Sequence, residues 1–289
     1  MTLRQDLRPY RLRIEHTTGY SYPGDVSASY NEARMLPSST DSQFVLSSQL
    51  DIEPSASVNQ YYDYFGTRVA AFDVLSSHSE LSITSRSLVE VRPQPIEHAD
   101  TTWEELRREA QRNVTVSEHL TQTPRTKPHD GVVDLARSVA ARHEHPGHAA
   151  HAIAEAIGGE MEYMFGITGV HSTAAEAWTQ RKGVCQDIAH ITIGALRAVG
   201  IPARYVSGYL HPHPQPLIGD SVTGESHAWV EWFAGDWQGF DPTNNIEIGD
   251  RHVLVGHGRD YNDVPPLRGV YAGPHKGELH VQVTITREA

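Results

Sequence analysis

Cysteine is almost absent from this chain: Cys185 is the only one in 289 residues. A lone thiol excludes any intramolecular disulfide. A free, reactive cysteine keeps best in a reducing compartment, so a cytoplasmic location is expected. Long apolar runs are missing too, and none approaches the roughly 18 to 20 residues that a membrane span needs, so no membrane partner is expected. The stretch Met1 to Tyr10 carries arginines and acids without an apolar h-region, which gives no sign of a secretory signal. Positive charge is scarce: 24 Lys and Arg against 36 Asp and Glu leave a formal net charge of -12. Nucleic acid would call for a basic patch, and Arg107-Arg108 reads as the solvated face of a helix, so no nucleic-acid partner is expected.

What remains is a globular composition, 38% hydrophobic and 21% charged, with length for one large or two ordinary domains. From Tyr10 to about Pro93 apolar and polar residues alternate, as in Arg11 to His16, Gln49 to Ile52, Glu80 to Thr84 and Ser87 to Val91. Pro23-Gly24-Asp25 and Pro37-Ser38-Ser39 read as turns between short strands, and Asn59 to Asp73 as two strands joined at Gly66. The aromatic run Tyr61 to Phe65 fits packing between strands, with a binding surface as the alternative. This pattern predicts a small β-sandwich. Arg92-Pro93-Gln94-Pro95 interrupts it and places a domain boundary between residues 1–95 and 96–289.

Beyond the prolines the period becomes helical. Helices are predicted over Thr101 to Arg112, Asp130 to Arg142, Ala149 to Met164 (weakened by Gly158-Gly159) and Ala174 to Arg181. A further run from Ile188 to Val199 is apolar nearly all round and stops at Gly200-Ile201-Pro202, which marks a buried core helix. A strand at Ala203 to Leu210, a Pro/His/Gly-rich loop over His211 to Gly224, a hairpin from Ser226 to Pro242 and a last strand at Glu278 to Arg287 follow. The fold class is therefore α+β, an N-terminal β-sandwich followed by an α+β core with an antiparallel sheet.

Cys185 sits where Arg181 to Gly183, a short polar stretch with a glycine to turn the chain, meets the core helix. The positive dipole end of a helix favours a thiolate there, so Cys185 is a candidate nucleophile. A nucleophilic thiol needs a base and a group to orient that base. The hairpin supplies both if Ala234-Gly235-Asp236 is a three-residue loop: Phe233 then pairs with Trp237, Trp229 falls opposite Asp241, and Asp241 becomes the same-face diagonal neighbour of His227. A two-residue loop would turn Asp241 to the wrong face. In these roles His227 takes and returns a proton, Asp241 holds its tautomer, and the backbone N–H of Cys185 is one oxyanion donor, with Tyr163 or His171 as candidates for a second.

Histidine is plentiful, 18 in all. His148 and His151 could share a helix face and bind a metal, which keeps a non-catalytic, histidine-rich metal-binding or interaction protein among the readings. No cysteine or carboxylate completes a ligand spacing there, so neither a metal nor another cofactor is expected. His190, one turn into the core helix, reads as a buried, satisfied histidine, with a supporting partner of the site as the alternative.

The blocks Gly183 to Asp187, Arg197 to Tyr209, Ser226 to Glu231 and Phe240 to Asn244, in that order, resemble the bacterial transglutaminase-like family. The β-rich first part also resembles the N-terminal domain that accompanies this core in bacterial members. The resemblance implies a papain-like core whose Cys-His-Asp triad transfers onto Cys185, His227 and Asp241, none of them substituted. It further implies a peptide or protein substrate and a thioacyl-enzyme. With water as acceptor the protein is a cysteine peptidase or amidase, a hydrolase; with an amine it is a protein-glutamine acyltransferase. Nothing in the sequence reports the oligomeric state.

Overall fold

A computed structural model describes residues 9–289 apart from 93–99, 168, 170, 171 and 275. The expected domain boundary thus falls outside the described residues. The N-terminal part forms β1 (Tyr10–Val26), β2 (Ala28–Ala33), β3 (Gln43–Glu53), β4 (Val58–Tyr62), β5 (Arg68–Val74) and β6 (His78–Val91). The helical part holds α1 (Trp103–Arg112), α2 (Val114–Ser117), α3 (Asp130–Ala140), α4 (Pro146–Glu160), the short strand β7 (Glu162–Tyr163), α5 (Ala174–Gln180), the short strand β8 (Lys182–Gly183) and α6 (Cys185–Ala198). The remainder is β9 (Ala203–Leu210), β10 (Ser221–Gly224), β11 (His227–Phe233), β12 (Trp237–Asp241), β13 (Ile246–Glu247), β14 (His252–Gly258), β15 (Leu267–Ala272) and β16 (Glu278–Arg287). None of the described helices is long and apolar enough to cross a membrane.

Local chemistry accounts for the helix starts. Thr102 and Glu105 close a capping box at α1, the Glu105 N–H donating to Thr102 Oγ1 at 3.3 Å and the Thr102 N–H to Glu105 Oε2 at 2.9 Å. Helix α6 is buried on every side from Gln186 to Arg197, as its unbroken apolar run requires.

Three larger sheets stack around two interfaces. The first, in the order β10-β16-β1-β6-β3, faces the second, β15-β2-β5-β4, across a core of Tyr22, Val26, Met35, Phe72, Leu81 and Ile83. These two form the sandwich. The same face of the first sheet, further along β1 and β6, carries Leu12, Ile14, Val89, Val283 and Ile285, which pack on Tyr209, Val253 and Val255 of the third sheet, β13-β12-β11-β9-β14. Helices α3 to α6 cover the third sheet through the largest apolar cluster, which holds Ile153, Ile188, Ile193, Val230 and Trp232. Sandwich and core are thus fused sheet to sheet.

Several details differ from the sequence reading. Pro23-Gly24-Asp25 makes no turn; β1 runs through it with a register irregularity between Ser21 and Val26. Proline is tolerated in a strand where such an irregularity spares the missing N–H. The sandwich is also discontinuous in sequence, since β16 pairs with β1 (Ile14 opposite Ile285) and β15 with β2 (Tyr30 opposite Val270). The aromatic run does not pack between strands. Strand β4 is an edge strand, and Tyr62 and Tyr64 are 68% and 71% exposed. The loop before the hairpin gains a strand, β10, which extends the first sheet beside β16.

Polar contacts lock the two layers together. The Gln43 side chain clamps the Leu254 backbone, Nε2 donating to its carbonyl and Oε1 accepting from its N–H, both at 2.8 Å. Tyr209 Oη donates to the Met35 carbonyl at 3.0 Å, so His16 Nδ1, 2.9 Å away, donates to Tyr209. Burial lowers the His16 pKa to about 4, so the ring is neutral. Tyr209→Phe leaves the His16 N–H without its acceptor inside a buried interface and should cost roughly 1–3 kcal/mol. Urea unfolding checks this: the midpoint should fall with the m-value unchanged.

Candidate active site

Cys185 opens α6, preceded by Val184 in an extended conformation. Helix α5 ends at Arg181, whose φ of 56° makes the turn and whose guanidinium lies 3.4 Å from the centre of the Trp178 ring. Gly183 does not turn the chain, contrary to the sequence reading. It stands where a Cβ would come within 2.8 Å of the Asp187 side chain. That closeness lets Asp187 Oδ2 accept the Val184 N–H at 2.9 Å and cap the helix one residue before the thiol. The parallel pairing of β7 with β8, Tyr163 opposite Gly183, brings Tyr163 to the same place.

The hairpin has the register that a three-residue turn dictates. Phe233 pairs with Trp237 and Val230 with Phe240, the Ala234 N–H reaches the Asp236 carbonyl at 3.0 Å, and Gly235 takes φ 95°. His227 Nε2 consequently lies 2.7 Å from Asp241 Oδ2. The Asp241 carboxylate, with no exposed surface, is surrounded by donors. Oδ1 accepts the N–H groups of Thr243 (3.0 Å) and Asn244 (3.2 Å), while Oδ2 also accepts Asn244 Nδ2 (2.8 Å). His252 Nε2 approaches Oδ2 at 3.5 Å from β14.

The sequence reading missed His252. The apolar run Val253 to Val255 just beyond the Asp241 turn was the available signal, because a return strand there starts at the end of the sheet that holds His227. The ring of His252 packs edge-on against Trp229, centroids 5.3 Å apart. Its tautomer follows from the Gly249 N–H, which donates to Nδ1 at 3.3 Å and leaves the proton on Nε2, facing Asp241.

Burial disfavours charge on both members of the His227–Asp241 pair, yet the pair overcomes it. Hydrogen bonds from His227 and His252 hold the Asp241 pKa below its usual 3.8. For His227, hydrogen bonds to Asp241 and to the Cys185 side chain outweigh burial and raise the pKa from 6.5 to about 10. The ring therefore stands between thiol and carboxylate, protonated at neutral pH. Cys185 is half-buried on the floor of a cleft of about 740 Å³. Its walls come from the core (Tyr163, Gln186, Tyr205, Tyr261), the loop and strand before the hairpin (Pro212, Val222, Glu225), and the first sheet (Thr18, Leu279, Val281). Burial, and then the nearby Cys185 and Glu225, raise the Tyr163 pKa, which keeps its phenol protonated beside the thiol. His171, the other candidate donor, lies outside the described residues.

His190 is fully buried, and its Nε2 accepts the Tyr261 N–H at 3.2 Å, fixing a turn whose side chain lines the cleft. His151 is held between Glu247 (2.7 Å) and Glu155 (3.4 Å). Among the described residues, His227, Asp241 and His252 form the one group of at least three such donors close enough to hold a metal ion. The chemistry of the set opposes it: His252 keeps its proton on the nitrogen that would have to coordinate, so the cluster is built as hydrogen-bond donors around a carboxylate.

Residues 12–90 match the family described as the bacterial transglutaminase-like N-terminal region, and residues 133–242 match the transglutaminase-like superfamily. An uncharacterized protein of Mycobacterium leprae is 42% identical over 280 residues, covering 97% of this chain and all of its own length. The chain belongs to the transglutaminase-like superfamily. A protein-glutamine gamma-glutamyltransferase of Pseudomonas aeruginosa is 34% identical over 114 residues, 35% of this chain and 17% of that protein. A solved structure from Cytophaga hutchinsonii, described as a candidate cysteine protease, shares the fold with a TM-score of 0.74 at 21% identity, covering 96% of this chain and 98% of its own.

Other residues of the superfamily blocks turn out to be structural. Buried Arg197 donates to the carbonyls of Ala203, Thr121 and Arg259 and ties the end of α6 to the sheet. Arg204 faces Glu231 across β9 and β11, Nη2 to Oε2 2.6 Å, and its guanidinium lies 3.9 Å from the centre of the Trp237 ring.

The pair gives the site a pH signature. Asp241, its pKa lowered, contributes stability above its ordinary 3.8 and loses it as the pH falls. His227, its pKa raised, contributes fully below 6.5 and loses that contribution as the pH rises towards about 10. The contribution of this pair to the melting temperature should be largest between about pH 5 and 6.5 and shrink on both sides. Asp241→Asn should flatten both limbs in scanning calorimetry; equally steep limbs in that variant would contradict the assignment.

Proposed function

We propose that the protein is a cysteine peptidase or amidase that hydrolyses an amide or isopeptide bond through a thioacyl-enzyme, with Cys185 as nucleophile, His227 as acid and base, and Asp241 orienting the imidazole. The observation that carries this reading is the arrangement around His227: Nε2 is bound to the buried Asp241 carboxylate at 2.7 Å, and the ring lines the same cleft as Cys185, whose side chain favours the protonated ring. With Nε2 committed to the carboxylate, Nδ1 is the nitrogen that serves the thiol.

His227 holds the proton of the pair. The sulfur attacks the substrate carbonyl carbon, and the electron pair of the C=O bond moves onto oxygen, where the backbone N–H of Cys185 and the Tyr163 hydroxyl are the donors. The tetrahedral intermediate collapses, the C–N bond breaks, and His227 gives its proton to the departing amine. Water, deprotonated by the now neutral His227, then adds to the thioester and releases the acid and the thiol. Asp241 stays ionised throughout and stabilises the imidazolium. A free nucleophilic thiol suits a reducing compartment, and we place the enzyme in the cytoplasm.

The likeness of the core to the Pseudomonas transferase favours a second reading, in which a primary amine replaces water in the last step. One set of measurements separates the readings. A mild electrophilic probe with intact-mass readout should add once to the native protein and not to Cys185→Ala. His227→Ala should label far more slowly at neutral pH, and Asp241→Asn should lower kcat on a cleaved amide by roughly 10³-fold or more. Amide hydrolysis that survives Cys185→Ala would sink the proposal. Incorporation of a labelled amine into a glutamine donor, faster than hydrolysis, would select the second reading.

A further inference from the structure

The cleft is nearly free of charge. Apart from Cys185 and His227, the one acidic or basic side chain of the Asp, Glu, Lys, Arg or His type among its described lining residues is Glu225, two positions before that histidine. Glu225 is exposed at the mouth, and among the described residues it has no salt-bridge partner. It acts on the site all the same, since it is one of the charges that raise the Tyr163 pKa. No lysine or arginine is among its described lining residues to receive an anion, and the whole chain carries -12.

The wall facing the thiol is apolar. Leu279, Val281, Val283 and Ile285 alternate along β16 and share one face. Val283 and Ile285 are buried in the interface with the core sheet, whereas Leu279 and Val281, on the same stripe, are 48% and 38% exposed and line the cleft. The stripe that glues the sandwich to the core therefore runs on uncovered into the site. Two large exposed side chains, Tyr163 and Phe165, stand on the core side.

We propose that the cleft takes an extended peptide carrying a basic side chain next to an apolar one, the cation held by Glu225 and the apolar group seated on Leu279 and Val281. Charge complementarity selects a cation, and continuity with the buried interface selects an apolar neighbour. The sandwich thereby becomes a specificity element of the enzyme. This inference rests on the reading of Cys185, His227 and Asp241 as the reacting groups, but its test does not need turnover.

The probe is a fluorescent peptide set, Arg-Leu, Glu-Leu and Arg-Ser at the central pair, whose binding to full-length Cys185→Ala is read by anisotropy. The Arg-Leu peptide should bind more tightly than the Glu-Leu peptide by about tenfold at low salt, and the ratio should shrink as salt is added. Glu225→Lys should invert the ratio. The ratio is an internal control, because a misfolded variant loses both peptides together. Leu279→Ser should weaken Arg-Leu binding and leave Arg-Ser binding close to its former value. Binding without charge preference, or a preference that Glu225→Lys leaves in place, overturns the proposal. So does a charge dependence confined to free amines added to a wild-type reaction. Failure of the catalytic reading would look different: wild-type protein that binds Arg-Leu peptides selectively yet neither labels at Cys185 nor cleaves them.

Discussion

One buried carboxylate organises the candidate site. Asp241 keeps its charge with no exposed surface, and an ion in that position is tolerable only when donors replace the water it gave up. Those donors arrive from separate places: His227 across the hairpin, His252 from β14, and the Asn244 side chain with two backbone N–H groups from the turn that Asp241 itself begins. Shifting β11 against β12 by one residue would swing the carboxylate to the other face of the sheet and strand it. The three-residue turn at Ala234 to Asp236 is thus a precondition of the site.

Much of this was legible in the chain because it is local. A hairpin's register follows from its loop length, and the loop Ala234-Gly235-Asp236 has a glycine where φ becomes positive. The helix that opens at Cys185 announces itself by its apolar run and its stop at Gly200-Ile201-Pro202. The superfamily blocks fix the order of the three reacting residues. Other features were not legible because they depend on partners remote in sequence. Nothing within β16 says that it pairs with β1 or that half its apolar stripe stays uncovered. His252 reaches Asp241 only because β14 returns beside β9, and Tyr62 projects from an edge strand and Tyr64 from the turn after it instead of filling a core. Pro23 looked like a chain reversal and is an irregularity in a long strand.

The polar residues of the blocks divide the work between chemistry and construction. Arg197 and Tyr209 spend their hydrogen bonds on backbone carbonyls at junctions, α6 to sheet and sheet to sandwich, while Arg204 and Glu231 brace one strand against the next. The candidate site is held by those joints, since Cys185 belongs to α6 and His227 and Asp241 to the sheet beneath it. Relative movement of α6 and β11 would separate thiol from imidazole without disturbing either residue's own contacts.

The pairing of β16 with β1 also sets an order of assembly. Synthesis delivers α6 and the hairpin, with Cys185, His227 and Asp241, before β16 emerges to take its place against β1. A nascent chain can therefore possess a thiol, an imidazole and a carboxylate while one wall of the cleft is still missing. The cleft is completed by the last strand of the chain, after the helix and hairpin that hold its polar groups.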